Sequence, residues 1–98
     1  MYGFINVVTL KEPITDAQLD RLRRSVVPDA TREPGFRHYF ALASDGGKAV
    51  ATFHAWDTEA EGRAALEKIV PAVEEQLGDN IADIVRHTGT LRVEESRG

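Results

Sequence analysis

Shifted by 43 residues, the chain matches itself at positions that carry structure. Val7 falls on Val50, Thr9 on Thr52, Thr15 on Thr58, Ala17 on Ala60, Val27 on Val70, Pro28 on Pro71 and Gly35 on Gly78. Each match alone is weak. Together they set a strand, a helix cap, a mid-helix proline and a terminal glycine in the same order twice, which marks an internal repeat. Two separately folded halves of a 98-residue chain would each be too small to bury a core, so the halves share one domain, residues 1–98.

Local signals give each half the same elements. Tyr2 to Leu10 is β-branched and aromatic and ends at Lys11-Glu12-Pro13, which predicts a strand. Thr15 and Gln18 have capping-box spacing, and Leu19, Leu22, Val26 and Ala30 follow on one helical face. Pro28 is expected to kink or stop this helix near Val27, before Pro34-Gly35 ends it. Phe36 to Ala43 and about Lys48 to Trp56 form a hairpin across Asp45-Gly46-Gly47. Thr58 and Glu61 supply a second capping box for a helix with Leu66, Ile69, Val73 and Leu77 on one side, closed by Gly78. A last strand, about Ala82 to Val93, leads into a charged tail, 94–98, with little reason to be ordered. The order βαββαβ is that of an α+β ferredoxin-like sandwich, a four-stranded antiparallel sheet with both helices on one face.

Such a sheet leaves its second face bare, and that face should be polar. Here it is not. Strand one carries Phe4, Val8 and Leu10 on one side and Ile5, Val7 and Thr9 on the other. Strand three sets Ala49, Ala51, Phe53 and Ala55 against Val50, Thr52, His54 and Trp56. A second copy of the chain is the simplest cover for an apolar second face, so a homodimer is expected.

Composition removes several functions. There is no cysteine, hence no disulfide, thiol nucleophile or Cys-ligated metal. Three histidines on three strands lack ligand spacing, and no metal site is expected. The net charge of −4 and the lack of a basic stripe argue against nucleic acid. No apolar run could cross a bilayer, and Met1 to Asn6 has no secretion pattern, so a cytoplasmic address is the expectation. Ser25, Ser44 and Ser96 lack a nucleophile-elbow motif, and Gly46-Gly47-Lys48 lacks the spacing of a phosphate loop.

Asn6, Glu33-Pro34-Gly35-Phe36 and Trp56-Asp57-Thr58-Glu59-Ala60 together resemble the antibiotic-biosynthesis-monooxygenase family of dimeric α/β-barrel proteins, over Tyr2 to Val93. The resemblance implies a ligand pocket between helices and sheet. It also implies, for some members, cofactor-free oxygenation of phenolic or quinol substrates, so no cofactor is expected. Departures exist. His54 stands where the family often has an acidic residue, and helix two offers Glu61-Gly62-Arg63-Ala64 where a histidine is common. Of the residues the haem-degrading branch uses, Asn6 matches the strand-one asparagine, but helix two contains neither the Trp nor the His, so haem degradation is poorly supported.

Asn6, His54 and Trp56 are the candidate catalytic residues. An amide in an apolar strand needs hydrogen-bond partners, whether from a substrate carbonyl or phenolate or from loop backbone. His54 has the ordinary pKa of a general base near neutrality, with His38 as the other choice. Both His54 and Trp56 also have plain packing readings. Phe4, His38, Tyr39, Phe53, Arg86 and His87 are the candidate substrate contacts. The 43-residue register aligns Asn6 with Ala49 and therefore puts it on the other sheet face from His54 unless a bulge intervenes. The pocket that the family resemblance implies then favours the alanine-lined side, where the alternative is that the alanines simply let the helices pack closely. The expected function is binding of a small apolar or aromatic ligand, with oxidation of a flat aromatic or quinol-type substrate. The alternative is a non-catalytic binding or accessory module.

Overall fold

The computed structural model describes residues 1–95 and Arg97. The expected disorder of the 94–98 tail falls partly on Ser96 and Gly98, which lie outside the described residues. The elements run β1 (Tyr2–Leu10), α1 (Asp16–Arg32), β2 (Phe36–Ala43), β3 (Ala49–Trp56), α2 (Glu59–Leu77), a short 3-10 turn (Gly78–Asn80) and β4 (Ile81–Thr90). All strand pairs are antiparallel, in the order β2-β3-β1-β4. This is the ferredoxin-like α+β sandwich.

Both helices begin at a threonine cap. At α1 the box is complete: Gln18 N–H donates to the Thr15 hydroxyl at 3.1 Å, and Thr15 N–H donates to Gln18 Oε1 at 2.9 Å. At α2 only half forms. Glu61 N–H reaches Thr58 Oγ1 at 3.2 Å, while the Glu61 carboxylate takes the Thr58 hydroxyl at 3.0 Å, so the expected second box is a single cap. Pro28 does not end α1, which continues to Arg32. Proline costs a helix interior about 3 kcal/mol. Beyond it Ala30 is fully buried, in one cluster with Val26, Trp56, Leu66 and Ile69, and burial on that scale opposes the break. A second cluster of Val8, Leu10, Ile14, Val50 and Leu77 fills the other end.

The strand faces differ from those the repeat implies. Asn6 pairs with Thr52 and Phe4 with His54 across β1 and β3, so directly opposed residues share a face. The helix-facing side is Phe4, Asn6 and Val8 with Val50, Thr52, His54 and Trp56. Ala51 and Phe53 point away with Ile5 and Val7. Asn6 and His54 thus lie on one face, and the alanine-lined side is not the pocket side. The reason is a parity effect. The caps are 43 apart, but the segment from β1 to α1 has five residues (11–15) and that from β3 to α2 has two (57–58). The difference of three is odd, and an odd slip exchanges the faces of a strand.

The outer face is apolar, as the sequence implies. Phe40 and Leu42 on the β2 edge are 64% and 62% exposed, and Ile5 on β1 and Val85 on β4 are 44% exposed each on the same face. Phe40 stacks on Phe53, with ring centroids 6.2 Å apart.

Candidate functional site

Between the helices and the inner sheet face lies a cavity of about 290 Å³. Val26, Leu66, Ile69, Val70 and Val73 from the helices and Val8 and Val50 from the sheet give it an apolar lining. Asn6, Thr52, His54 and Tyr39 supply polar atoms from the strands. The volume stands at the lower end of small-molecule sites. An apolar cavity of about 150 Å³ admits benzene, so this one has room for one or two rings.

Asn6 and His54 are buried, at 9% and 3% exposure. Arg86, opposite Asn6 on β4, donates from Nε to Asn6 Oδ1 at 2.5 Å. A guanidinium has only donors, so this contact orients the amide with its oxygen toward Arg86. Asn6 Nδ2 therefore faces Thr52 Oγ1 and His54 Nε2, each at 3.4 Å. On the other side of the ring, Trp56 Nε1–H donates to His54 Nδ1 at 2.6 Å. The ring is clamped between aromatic planes, stacked on Phe4 at 5.1 Å and Tyr39 at 6.2 Å. Burial, assisted by the charge of Arg86, pushes the His54 pKa down to about 4, so the imidazole is neutral near pH 7. Burial also pushes the Tyr39 phenol up, keeping it protonated.

The fold therefore brings Asn6, His54, Tyr39 and Arg86 together. Trp56 is fully buried behind His54 and does not line the cavity. Phe4 likewise sits behind the ring, wedged against Gly62. His38, Phe53 and His87 do not join them. His38 pairs with Ala55, Phe53 with Ile5, and His87 with Ile5, all on the outer face. Thr52 was not among the candidates, although its place two residues before His54 puts it on the same side of the strand. Among the described residues no cluster of three His, Asp or Glu side chains could hold a metal ion, and no helix is long and apolar enough to cross a membrane.

The two segments carrying the family resemblance meet in space. Gly35, at φ 82°, accepts from Asp57 N–H at 2.8 Å, Phe36 packs edge-on against Trp56, and Arg37 pairs with Asp57.

No family model and no curated protein matches the chain. Solved structures do. SnoaB, a cofactor-independent oxygenase from Streptomyces nogalater, superposes with a TM-score of 0.73 at 18% identity, covering 95% of this chain and 94% of its own. A candidate antibiotic biosynthesis monooxygenase from Nitrosomonas europaea gives 0.73 at 21% identity, over 94% and 100%. A dimeric ferredoxin-like protein of unknown function from Thermobifida fusca gives 0.65 at 18% identity, over 92% of each chain. At such identities the likeness speaks for architecture: the chain has the ferredoxin-like fold shared by antibiotic-biosynthesis-monooxygenase-like proteins.

Proposed function

We propose that this protein binds a small flat aromatic molecule in the inner cavity and oxidises it with dioxygen, without metal or flavin. The carrying observation is an apolar cavity with a buried amide donor, Asn6, on its wall. A phenolate or enolate oxygen placed on Asn6 Nδ2 would be stabilised by a donor already oriented by Arg86, whose charge adds to the effect. The electron-rich ring then supplies all four electrons to dioxygen. One oxygen atom enters the substrate and the other leaves as water. The apolar lining excludes bulk water from this reaction.

A non-catalytic binding module is the second reading. One observation favours it: His54 is neutral and poorly basic, so the substrate must ionise without its help.

The proposal includes a homodimer formed through the outer sheet face. Exposed Phe40, Leu42, Ile5 and Val85 support it, and one similar structure is described as dimeric. His38, Phe53 and His87 then belong to that interface and not to the ligand.

Oxygen uptake with 1,4-naphthalenediol as the probe tests the reaction, since addition of one oxygen atom gives 2-hydroxy-1,4-naphthoquinone and water. The expected result is protein-dependent uptake, one labelled oxygen per product from isotopic dioxygen, and a loss of tenfold or more in Asn6→Ala. Binding without uptake would establish the second reading. Equal turnover in Asn6→Ala would remove Asn6 from the mechanism.

A further inference from the structure

We propose that Trp56 is a positioning residue that fixes the tautomer of His54, making the imidazole a second hydrogen-bond donor to the ligand beside Asn6. This rests on the ligand-binding reading above and assigns the site a requirement for an acceptor oxygen.

The argument is one of proton placement. An indole nitrogen can only donate, and Trp56 Nε1 lies 2.6 Å from His54 Nδ1, so Nδ1 must be the bare, accepting nitrogen. In a neutral ring the proton then sits on Nε2. That nitrogen faces Asn6 Nδ2 at 3.4 Å, and Asn6 cannot turn its oxygen toward it because Arg86 holds Oδ1 on the far side. Two N–H donors confront each other, and a donor facing a donor forms no hydrogen bond. Both side chains line the cavity, and both are more than nine-tenths buried.

A buried donor without an acceptor is destabilising, because it has given up water and gained no partner. An oxygen placed between His54 Nε2 and Asn6 Nδ2 gives His54 the acceptor it lacks and takes the second amide hydrogen of Asn6, the first being directed at Thr52 Oγ1, in the manner of a two-donor oxyanion hole. The site therefore selects a carbonyl, enolate or phenolate oxygen on an otherwise apolar ring and rejects the matching hydrocarbon. Trp56 touches no ligand and acts through His54 alone. Phe4 and Tyr39, stacked on the ring, keep it in the plane that makes both contacts possible.

Two measurements on the full chain test this. Nitrogen-15 NMR of the imidazoles reports the tautomer directly. The expected result is a neutral His54 protonated on Nε2 between pH 6 and 8, with Trp56→Phe giving a mixture of tautomers. A wild-type ring protonated on Nδ1, or charged at neutral pH, overturns the proposal even if Trp56→Phe fails to fold. The second measurement compares binding of 1-tetralone with that of tetralin, which lacks the carbonyl oxygen. The ketone should bind about tenfold more tightly, and His54→Phe, which keeps an aromatic ring in the stack, should lose most of that preference. A preference unchanged in His54→Phe overturns the donor role. Failure of both compounds to bind, or to perturb any cavity resonance, overturns the ligand-binding reading and the donor role with it, whatever tautomer the ring adopts.

Discussion

Replacing Gly62 by alanine should destabilise the protein, against the ordinary rule for helices. In an unencumbered helix interior alanine is about 0.8–1.0 kcal/mol better than glycine. Gly62 sits in the first turns of α2, fully within the helix and without a positive φ, so no backbone strain opposes the change. The obstacle is space. An added methyl carbon would lie 2.3 Å from Phe4 Cε1 and 2.8 Å from Trp56 Cδ1. Both rings are fully buried, and Phe4 is further held by the stacked His54 and the edge-on Tyr2. They cannot swing aside, so α2 must lift from the sheet. Overpacking of this kind costs roughly 1–3 kcal/mol, and the middle of that range less the helix gain leaves a net loss of about 1 kcal/mol. For a domain of this size that corresponds to a Tm lower by about 4–8 °C. Calorimetry at matched protein concentration measures it, with Gly46→Ala as control, because a methyl there meets nothing within 4 Å. A Gly62→Ala variant as stable as wild type, or more so, would refute the claim that close approach of α2 to Phe4 sets the packing.

Three other outcomes are expected. The folded-state pKa of His54, near 4, lies below the unfolded value of about 6.5, so the unfolded chain binds the extra proton between these limits. Stability should fall as pH drops from about 6.5 to 4, by on the order of 3 kcal/mol from this residue. His54→Gln should flatten that part of the wild-type denaturation profile. Leu42→Glu on the outer face should turn a sedimenting dimer into a monomer with little loss of helix signal, whereas a wild-type monomer at micromolar concentration would remove the interface. Thr15→Ala removes the hydroxyl half of the α1 capping box, leaving the backbone N–H of residue 15 to Gln18, and should cost about 1 kcal/mol in urea denaturation.

Much of the fold is legible because its signals are local. β1 and β2 occupy the predicted spans, both threonine caps open helices, and Gly78 closes α2. Pro28 misleads because its penalty is local while the burial of Ala30 that opposes it comes from α2 and β3. Glu61 illustrates the same limit: its spacing from Thr58 fits a box, but its carboxylate takes the hydroxyl proton and leaves the backbone half unmade.

The element order, the apolar character of both sheet faces and the candidacy of Asn6, His54, Tyr39 and Arg86 are all written in local residue patterns. The same patterns set His54 and Trp56 two residues apart on one strand face, which makes their hydrogen bond possible. Which face the helices cover emerges from the folded chain alone, because it depends on the register of β1 against β3 and on linkers whose lengths differ by an odd number. Register also brings Arg86, eighty positions away along the chain, onto Asn6. Hydrogen bonds of that separation depend on where the whole chain closes, and no local pattern of residues encodes the distance.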